Sequence, residues 1–225
     1  MTTGLVNAAM PVIRSLRAMP KLWMLNLAAV ALTASLAISH KAWGNDTTVN
    51  RKELANAAES WINGLKTFQA QFRQTTSSGH LALGEILIAR PGRMFIKYSD
   101  PRGLEVYADG RWMIYLDRTL KEVNQIPISA TPARIFLEDN VKFDKDLTVS
   151  VTDLDDRYQL LLSQRDSPED GRIALSFSKI PLQLKAWTIW DAQGVEITVS
   201  LSEIKENKPI NLNRLNYYAP EWAFQ

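Results

Sequence analysis

Between Asn50 and Gln74 the apolar residues Leu54, Ala58, Trp61, Leu65, Phe68 and Phe72 recur at steps of four, three, four, three and four. That rhythm draws one stripe along an α-helix. Asn50, with Glu53 three residues on, has the form of a capping box at its start. Gly64 weakens the helix midway, by about 1 kcal/mol relative to alanine. From Thr75 the rhythm shortens to two, the period of strands. Strands are predicted over 80–90, 94–98, 104–108, 111–116, 121–126, 147–151, 158–163, 172–178, 182–191, 195–204 and 212–218. Asp109-Gly110 marks a tight hairpin between two of them. Thr131–Glu138, TPARIFLE, reads as a short helix with Thr131 as N-cap and Pro132 at its first position. Short strands at near-regular spacing with few helices predict a mainly β fold with some α: an incomplete antiparallel β-barrel, or curved sheet, with an N-terminal helix.

The stretch Gly84–Pro101 carries the most information. It reads as two strands joined at Pro91-Gly92. Alternation puts Gly84, Ile86, Ile88 and Arg90 on one face of the first strand, and Met94, Ile96 and Tyr98 on one face of the second. An arginine at the end of an apolar row needs acceptors, since stranding a guanidinium there costs several kcal/mol as an order of magnitude. Elsewhere strands are apolar on both faces: Trp187 and Ile189 oppose Leu182, Leu184 and Trp190, and Leu160, Leu161 and Leu162 run together. Either the interior is filled by these side chains, or it encloses an apolar cavity.

The first 44 residues change the account of charge and compartment. Arg14, Arg17 and Lys21 precede an apolar run, Leu22–Ile38, and Ala42-Trp43-Gly44 follows. This is the layout of a secretory signal peptide. The run is also near the shortest length that spans a membrane, but Asn26, Thr33 and Ser35 dilute it, and the small-x-small site favours cleavage after Gly44. The leader holds four bases (Arg14, Arg17, Lys21, Lys41) and no acids, so 26 less 4 leaves 22 bases against 24 acids in residues 45–225. The basic balance of the whole chain is therefore no argument for nucleic acid. Without cysteine the exported part has no disulfide and no lipidated cysteine at the cleavage site. It is expected to be one soluble, monomeric domain over 45–225, held by its core.

Candidate chemistry is sparse. Residues 45–225 contain one histidine, His80, and no Gly-x-Ser-x-Gly elbow. Asp153, Asp155 and Asp156 form the most compact acid cluster and read as a hairpin loop rather than a metal site. No phosphate loop or dinucleotide fingerprint occurs. A carboxylate hydrolase would need two acids on the inward rows, which carry none, and Glu85 alternates to the face opposite Arg90. No enzyme activity, cofactor or metal is expected.

Two segments carry a family resemblance. Phe68-x-Ala70-x-Phe72-x-Gln74, followed by Gly84-x₅-Arg90-Pro91, resembles the pattern of the outer-membrane lipoprotein carrier (LolA-like) family, F-x-A-x-F-x-Q then G-x-x-x-x-x-R-P. Asp109-Gly110 and Thr131-Pro132 fall where that family has its hairpin and its short helix. The resemblance runs from about Val49 to Pro220. It implies a periplasmic carrier with helices as a lid over an apolar cavity. Such a carrier takes acylated lipoproteins from an inner-membrane ABC transporter and passes them to an outer-membrane receptor. The implied acyl-chain and lid residues are Leu65, Phe68, Phe72, Ile86, Ile88, Arg90, Met94, Ile96, Tyr98, Ile135 and Phe136, with Arg90 holding the lid. Only Glu221–Gln225 follow Pro220, so the longer C-terminal segment of some members has no counterpart. A lipid- or lipoprotein-sensing module of the same architecture is the second reading.

Overall fold

The structure, a computed structural model, describes residues 46–143, 147–165, 171–191 and 194–224. The leader expected at Met1–Gly44 lies outside them. The chain divides at Asn50–Arg51, and the sheet belongs to the second unit, Arg51–Gln225.

Helix α1 spans Asp46–Gly64. It starts four residues before Asn50 and stops ten before Gln74, because the apolar stripe passes into strand β1, Thr67–Thr76. Phe68, Ala70 and Phe72 are buried on one face of that strand. Residues four apart share a face at period 3.6 and at period 2 alike, so Phe68 and Phe72 fit both readings. Gly64, a poor helix residue, falls at the change.

The remaining strands are β2 (Leu81–Ala89), β3 (Arg93–Asp100), β4 (Leu104–Asp109), β5 (Trp112–Asp117), β6 (Glu122–Pro127), β7 (Leu147–Asp153), β8 (Arg157–Gln164), β9 (Gly171–Ser178), β10 (Gln183–Asp191) and β11 (Glu196–Glu206). They form one antiparallel sheet in the order β6-β5-β4-β3-β2-β1-β11-β10-β9-β8-β7. Two meanders are thus joined edge to edge by β1 and β11. Strands β6 and β7 are the free edges, so the sheet is open, as the term incomplete barrel requires. The connection between those edges carries a 3₁₀ turn, Ile128–Ala130, and a short helix α2, Arg134–Leu137. Thr131 does not cap α2: its hydroxyl donates back to the Ile128 carbonyl at 2.9 Å.

Two apolar clusters form, one on each face. The larger joins α1, α2 and the inward rows of the strands. The smaller packs Leu87, Phe95, Tyr107, Ile114 and Leu116 under Leu215. Leu215 lies in a 3₁₀ turn, Leu212–Leu215, where a strand is expected from the sequence. The Asn211 side chain accepts from the Asn213 N–H at 3.1 Å, a local bond that competes with a ladder. Arg214 fixes this segment to Glu85 (Nη1–Oε2 3.2 Å) and lies 5.4 Å from the Phe95 ring centre.

Candidate functional site

Strand register builds two runs of inward residues, one across β8, β9 and β10 and one from β11 through β1 to β6. Tyr158 faces Phe177, and Phe177 faces Leu184. Glu206 faces Phe68, Phe68 faces Ile88, and Ile88 faces Met94. Met94, Ala108, Met113 and Ile126 continue it. The next inward rows place Ile96 opposite Ile86 and Tyr98 opposite Gly84. Gly84 is required there: a Cβ would stand 2.3 Å from the Lys97 carbonyl oxygen and 2.6 Å from the Phe72 ring. Phe72 also meets Tyr98 edge-on, at 5.2 Å between centres.

All ten apolar residues implied by the resemblance belong to, or pack against, this one cluster. Leu65, Phe68, Phe72, Ile86, Ile88, Met94, Ile135 and Phe136 are buried; Ile96 and Tyr98 are partly buried at its margin. Trp187 joins them although it alternates with Leu184 in the sequence. A bulge between Leu184 and Ala186 resets the alternation, as an extra unpaired residue does. Phe136 on α2 reaches across to Trp187, with ring centres 5.4 Å apart.

Among the described residues the inward face shows a nearly closed cleft where an apolar cavity is expected. Trp61, Leu65, Phe68, Ile88, Phe136, Leu184 and Trp187 close around a cleft with about 10 Å³ of free space. That is room for about one water molecule. The four aromatic rings occupy the volume that a wide sheet and two helices would otherwise enclose.

The cover over this face is held by polar bonds at its two sides. On one side Arg90 Nε donates to the Glu138 carbonyl at 3.2 Å, Nη2 donates to the same oxygen, and Nη2 reaches the Asp139 carbonyl at 3.4 Å. The Gly92 N–H donates to the Leu137 carbonyl at 2.8 Å. These are carbonyls at the C-terminal end of α2, which the helix itself leaves without donors. Burial pulls the Arg90 guanidinium down from its ordinary value, and the Asp139 and Glu138 carboxylates oppose that pull.

On the other side α1 holds the chain that follows. Asn63 Nδ2 donates to the Val141 carbonyl and the Val141 N–H donates to Asn63 Oδ1, both at 2.9 Å. Glu59 accepts the Phe143 N–H at 2.8 Å and Lys142 Nζ at 3.1 Å. Glu59 and Asn63 are one helical turn apart, so α1 presents them as a strand edge would present its backbone. Sequence reasoning missed both, since polar residues on a helix carry no sign of partners 78 and 84 positions away.

Among the described residues no group of three or more His, Asp or Glu is placed to hold a metal, and no helix is long and apolar enough to cross a membrane. Comparison with known proteins gives one family. The model described as outer membrane lipoprotein carrier protein LolA matches residues 63–215. An uncharacterized protein of Rickettsia prowazekii is 23% identical over 184 residues, 81% of this chain and 83% of that protein. An outer-membrane lipoprotein carrier protein of Halorhodospira halophila is 25% identical over 180 residues, 73% of this chain and 81% of that protein. Among solved structures, a LolA superfamily protein of Nitrosomonas europaea aligns over 72% of this chain and 97% of that one, at 12% identity and a TM-score of 0.42.

Proposed function

The chain belongs to the LolA family of outer membrane lipoprotein carrier proteins, and from that premise we propose that it is a periplasmic carrier that shields the acyl chains of lipoproteins between the inner and outer membranes. An inner-membrane lipoprotein-releasing ABC transporter supplies the cargo, and an outer-membrane receptor accepts it. Leu65, Phe68, Phe72, Ile86, Ile88, Met94, Ile96, Tyr98, Ile135 and Phe136 contact the acyl chains, and Arg90 holds the lid.

The observation that carries this reading is the contrast between cover and floor. The floor is a continuous apolar surface, and the cover adds, to the apolar packing of Ile135, Phe136 and Leu137, polar fastenings at its edges, Arg90 on one side and Asn63 and Glu59 on the other. An acyl chain gains about 0.8 kcal/mol per buried CH₂. Opening breaks a handful of hydrogen bonds, each worth about 1 kcal/mol net, and the acyl chain takes over the apolar contacts that Ile135, Phe136 and Leu137 give up. The closed cleft is then the empty state, and entry displaces Phe136 and Trp61 with the elements that bear them.

The test is lipoprotein release. Spheroplasts making a labelled outer-membrane lipoprotein are incubated with the purified protein. A soluble one-to-one complex is the expected result. A folded protein that leaves all label on the membrane overturns the carrier reading.

A further inference from the structure

A strand at the edge of a sheet shows a row of unpaired N–H and C=O groups, and folded proteins blunt such edges with charge, proline or a bulge. The two edges of this sheet differ. Strand β6 has Lys121 before it, Glu122 as its first residue and Pro127 as its last. Strand β7 has none of these from Thr148 to Thr152, and it pairs with β8 without a bulge. Among the described residues no strand lies on its other side.

The hairpin fixes which backbone groups β7 leaves free. The Leu154 N–H donates to the Arg157 carbonyl at 2.9 Å. Bonded pairs alternate along an antiparallel ladder, so Thr152 bonds Gln159, Ser150 bonds Leu161 and Thr148 bonds Ser163. Val149 and Val151 therefore point their N–H and C=O away from β8. Their side chains pack on the inward face, while Thr148, Ser150 and Thr152 are exposed on the other.

The order of these residues is self-complementary. Thr148-Val149-Ser150-Val151-Thr152 reads the same in both directions. Laid antiparallel on a second copy about Ser150, the strand sets Val149 against Val151, Ser150 against Ser150 and Thr148 against Thr152 of that copy. The two Val149–Val151 pairs are then bonded pairs, each exchanging two hydrogen bonds, and they use the groups that β8 leaves free. No like charges meet. Thr against Thr already occurs on this face of the sheet, where the Thr188 and Thr198 hydroxyls lie 2.9 Å apart across β10 and β11.

We propose that β7 is a homodimer contact: two copies of this chain pair antiparallel through Val149 and Val151, about a two-fold axis at Ser150, and one sheet runs on into the other. An isologous contact of this kind is closed and stops at two copies. It is independent of the carrier reading. One strand pair is a small interface, so the monomer expected from the sequence is the dilute form.

The chain has no cysteine, so single cysteines report the register. In Ser150→Cys two thiols meet across the axis in a non-bonded pair, with Cα atoms about 4.5 Å apart, within reach of a disulfide. In Thr148→Cys each new thiol stands opposite Thr152, and the two thiols are about 13 Å apart along the strand, beyond that reach. With oxidised glutathione at high protein concentration, Ser150→Cys is expected to give at least about tenfold more disulfide-linked dimer than Thr148→Cys. Equal yields mean random collision and overturn the proposal. In sedimentation, the mass of the unaltered protein is expected to rise toward twofold with concentration. Ser150→Lys places like charges opposite each other and should stay single, as should Ser150→Glu, while an equal mixture of the two should pair. A single-chain mass at every concentration, or a Ser150→Lys protein that pairs as the unaltered one does, overturns the contact. Amide exchange at Val149 and Val151 should slow as concentration rises. Slow exchange at every concentration assigns the edge to another segment of the same chain. Slowing only on addition of a synthetic triacylated lipopeptide assigns it to cargo. Either result overturns the second copy.

Discussion

Asn63 and Val141 exchange two hydrogen bonds of 2.9 Å, one in each direction. A side-chain amide thereby serves the backbone of a buried residue that has no strand neighbour. Asn63→Ala strands the Val141 N–H and C=O, and each orphaned group costs about 1–3 kcal/mol. Urea unfolding is expected to show a loss of about 2 kcal/mol or more. Amide exchange should speed up at Val141 and at Phe143, which Glu59 holds one turn earlier. Glu59→Gln keeps an acceptor for Phe143 and loses only an ion pair to a half-exposed lysine, so its effect should stay below about 1 kcal/mol. An Asn63→Ala protein with unchanged exchange at Val141 would show that α1 does not anchor the connection.

Arg90→Leu acts on the other side of the cover. It removes the donors to the Glu138 and Asp139 carbonyls and leaves the strand intact, so folding should persist. The closed empty state then loses stabilisation that the ligand-bound state does not share. Apparent affinity for acyl ligand rises as that closed state is depopulated. With charged donors worth about 1.5–3 kcal/mol each, tightening by tenfold or more is expected, read as slower transfer of lipopeptide to acceptor vesicles. Transfer at the unaltered rate would remove Arg90 from the latch.

Much of this architecture is legible in the chain because period two survives burial. The rows Ile86–Ile88–Arg90 and Met94–Ile96–Tyr98 follow from alternation, and Asp109-Gly110 turns where its chemistry requires, with Gly110 at φ +103°. Three features escape for physical reasons. Phe68 and Phe72 satisfy helix and strand periods equally, so the end of α1 is displaced by ten residues. Trp187 changes face at a bulge that no residue type announces. Whether the interior is filled or hollow depends on how rings from α1, β1, α2 and β10 interlock, which is a property of volume and not of pattern.

Gly84→Ala is expected to be among the most damaging small substitutions. The added methyl meets a backbone oxygen at 2.3 Å as well as the Phe72 ring. Moving the ring relieves one clash and not the other, so Phe72→Ala should fail to rescue it. The double variant should unfold at a temperature no higher than either single variant. Full rescue would mean that only the ring opposes the methyl.

Alkaline pH should destabilise the fold through its phenols. Burial pushes Tyr115 and Tyr158 up to about 12, and raises Tyr98 further, with Tyr115 adding to the effect. A raised phenol favours its neutral form in the folded state. Its stabilisation is complete below the unfolded value of about 10 and is lost as pH rises through 12, because the unfolded chain then binds fewer protons. The urea midpoint should fall between pH 10 and 12. Phenolate absorbance should appear with unfolding rather than before it, and Tyr158→Phe should flatten the fall. Ionisation of all phenols near pH 10 in a folded protein would contradict this burial.

Two substitutions on opposite faces separate stability from binding. Leu215 is 2% exposed and fills the outward cluster, so Leu215→Ala should cost about 2–5 kcal/mol. It touches no wall of the cleft. Below its melting temperature it should bind diphenylhexatriene as the unaltered protein does. Phe136 closes the cleft against Trp187. Phe136→Ala should also cost a few kcal/mol, but it opens space where a ligand would otherwise have to displace a ring, so probe affinity should rise. If both variants lower affinity in proportion to lost stability, the probe reads partial unfolding, and the inward face has no special claim to the ligand. Unchanged affinity in Leu215→Ala beside raised affinity in Phe136→Ala, at similar cost in stability, requires that the ligand sit on the inward face, beneath α2.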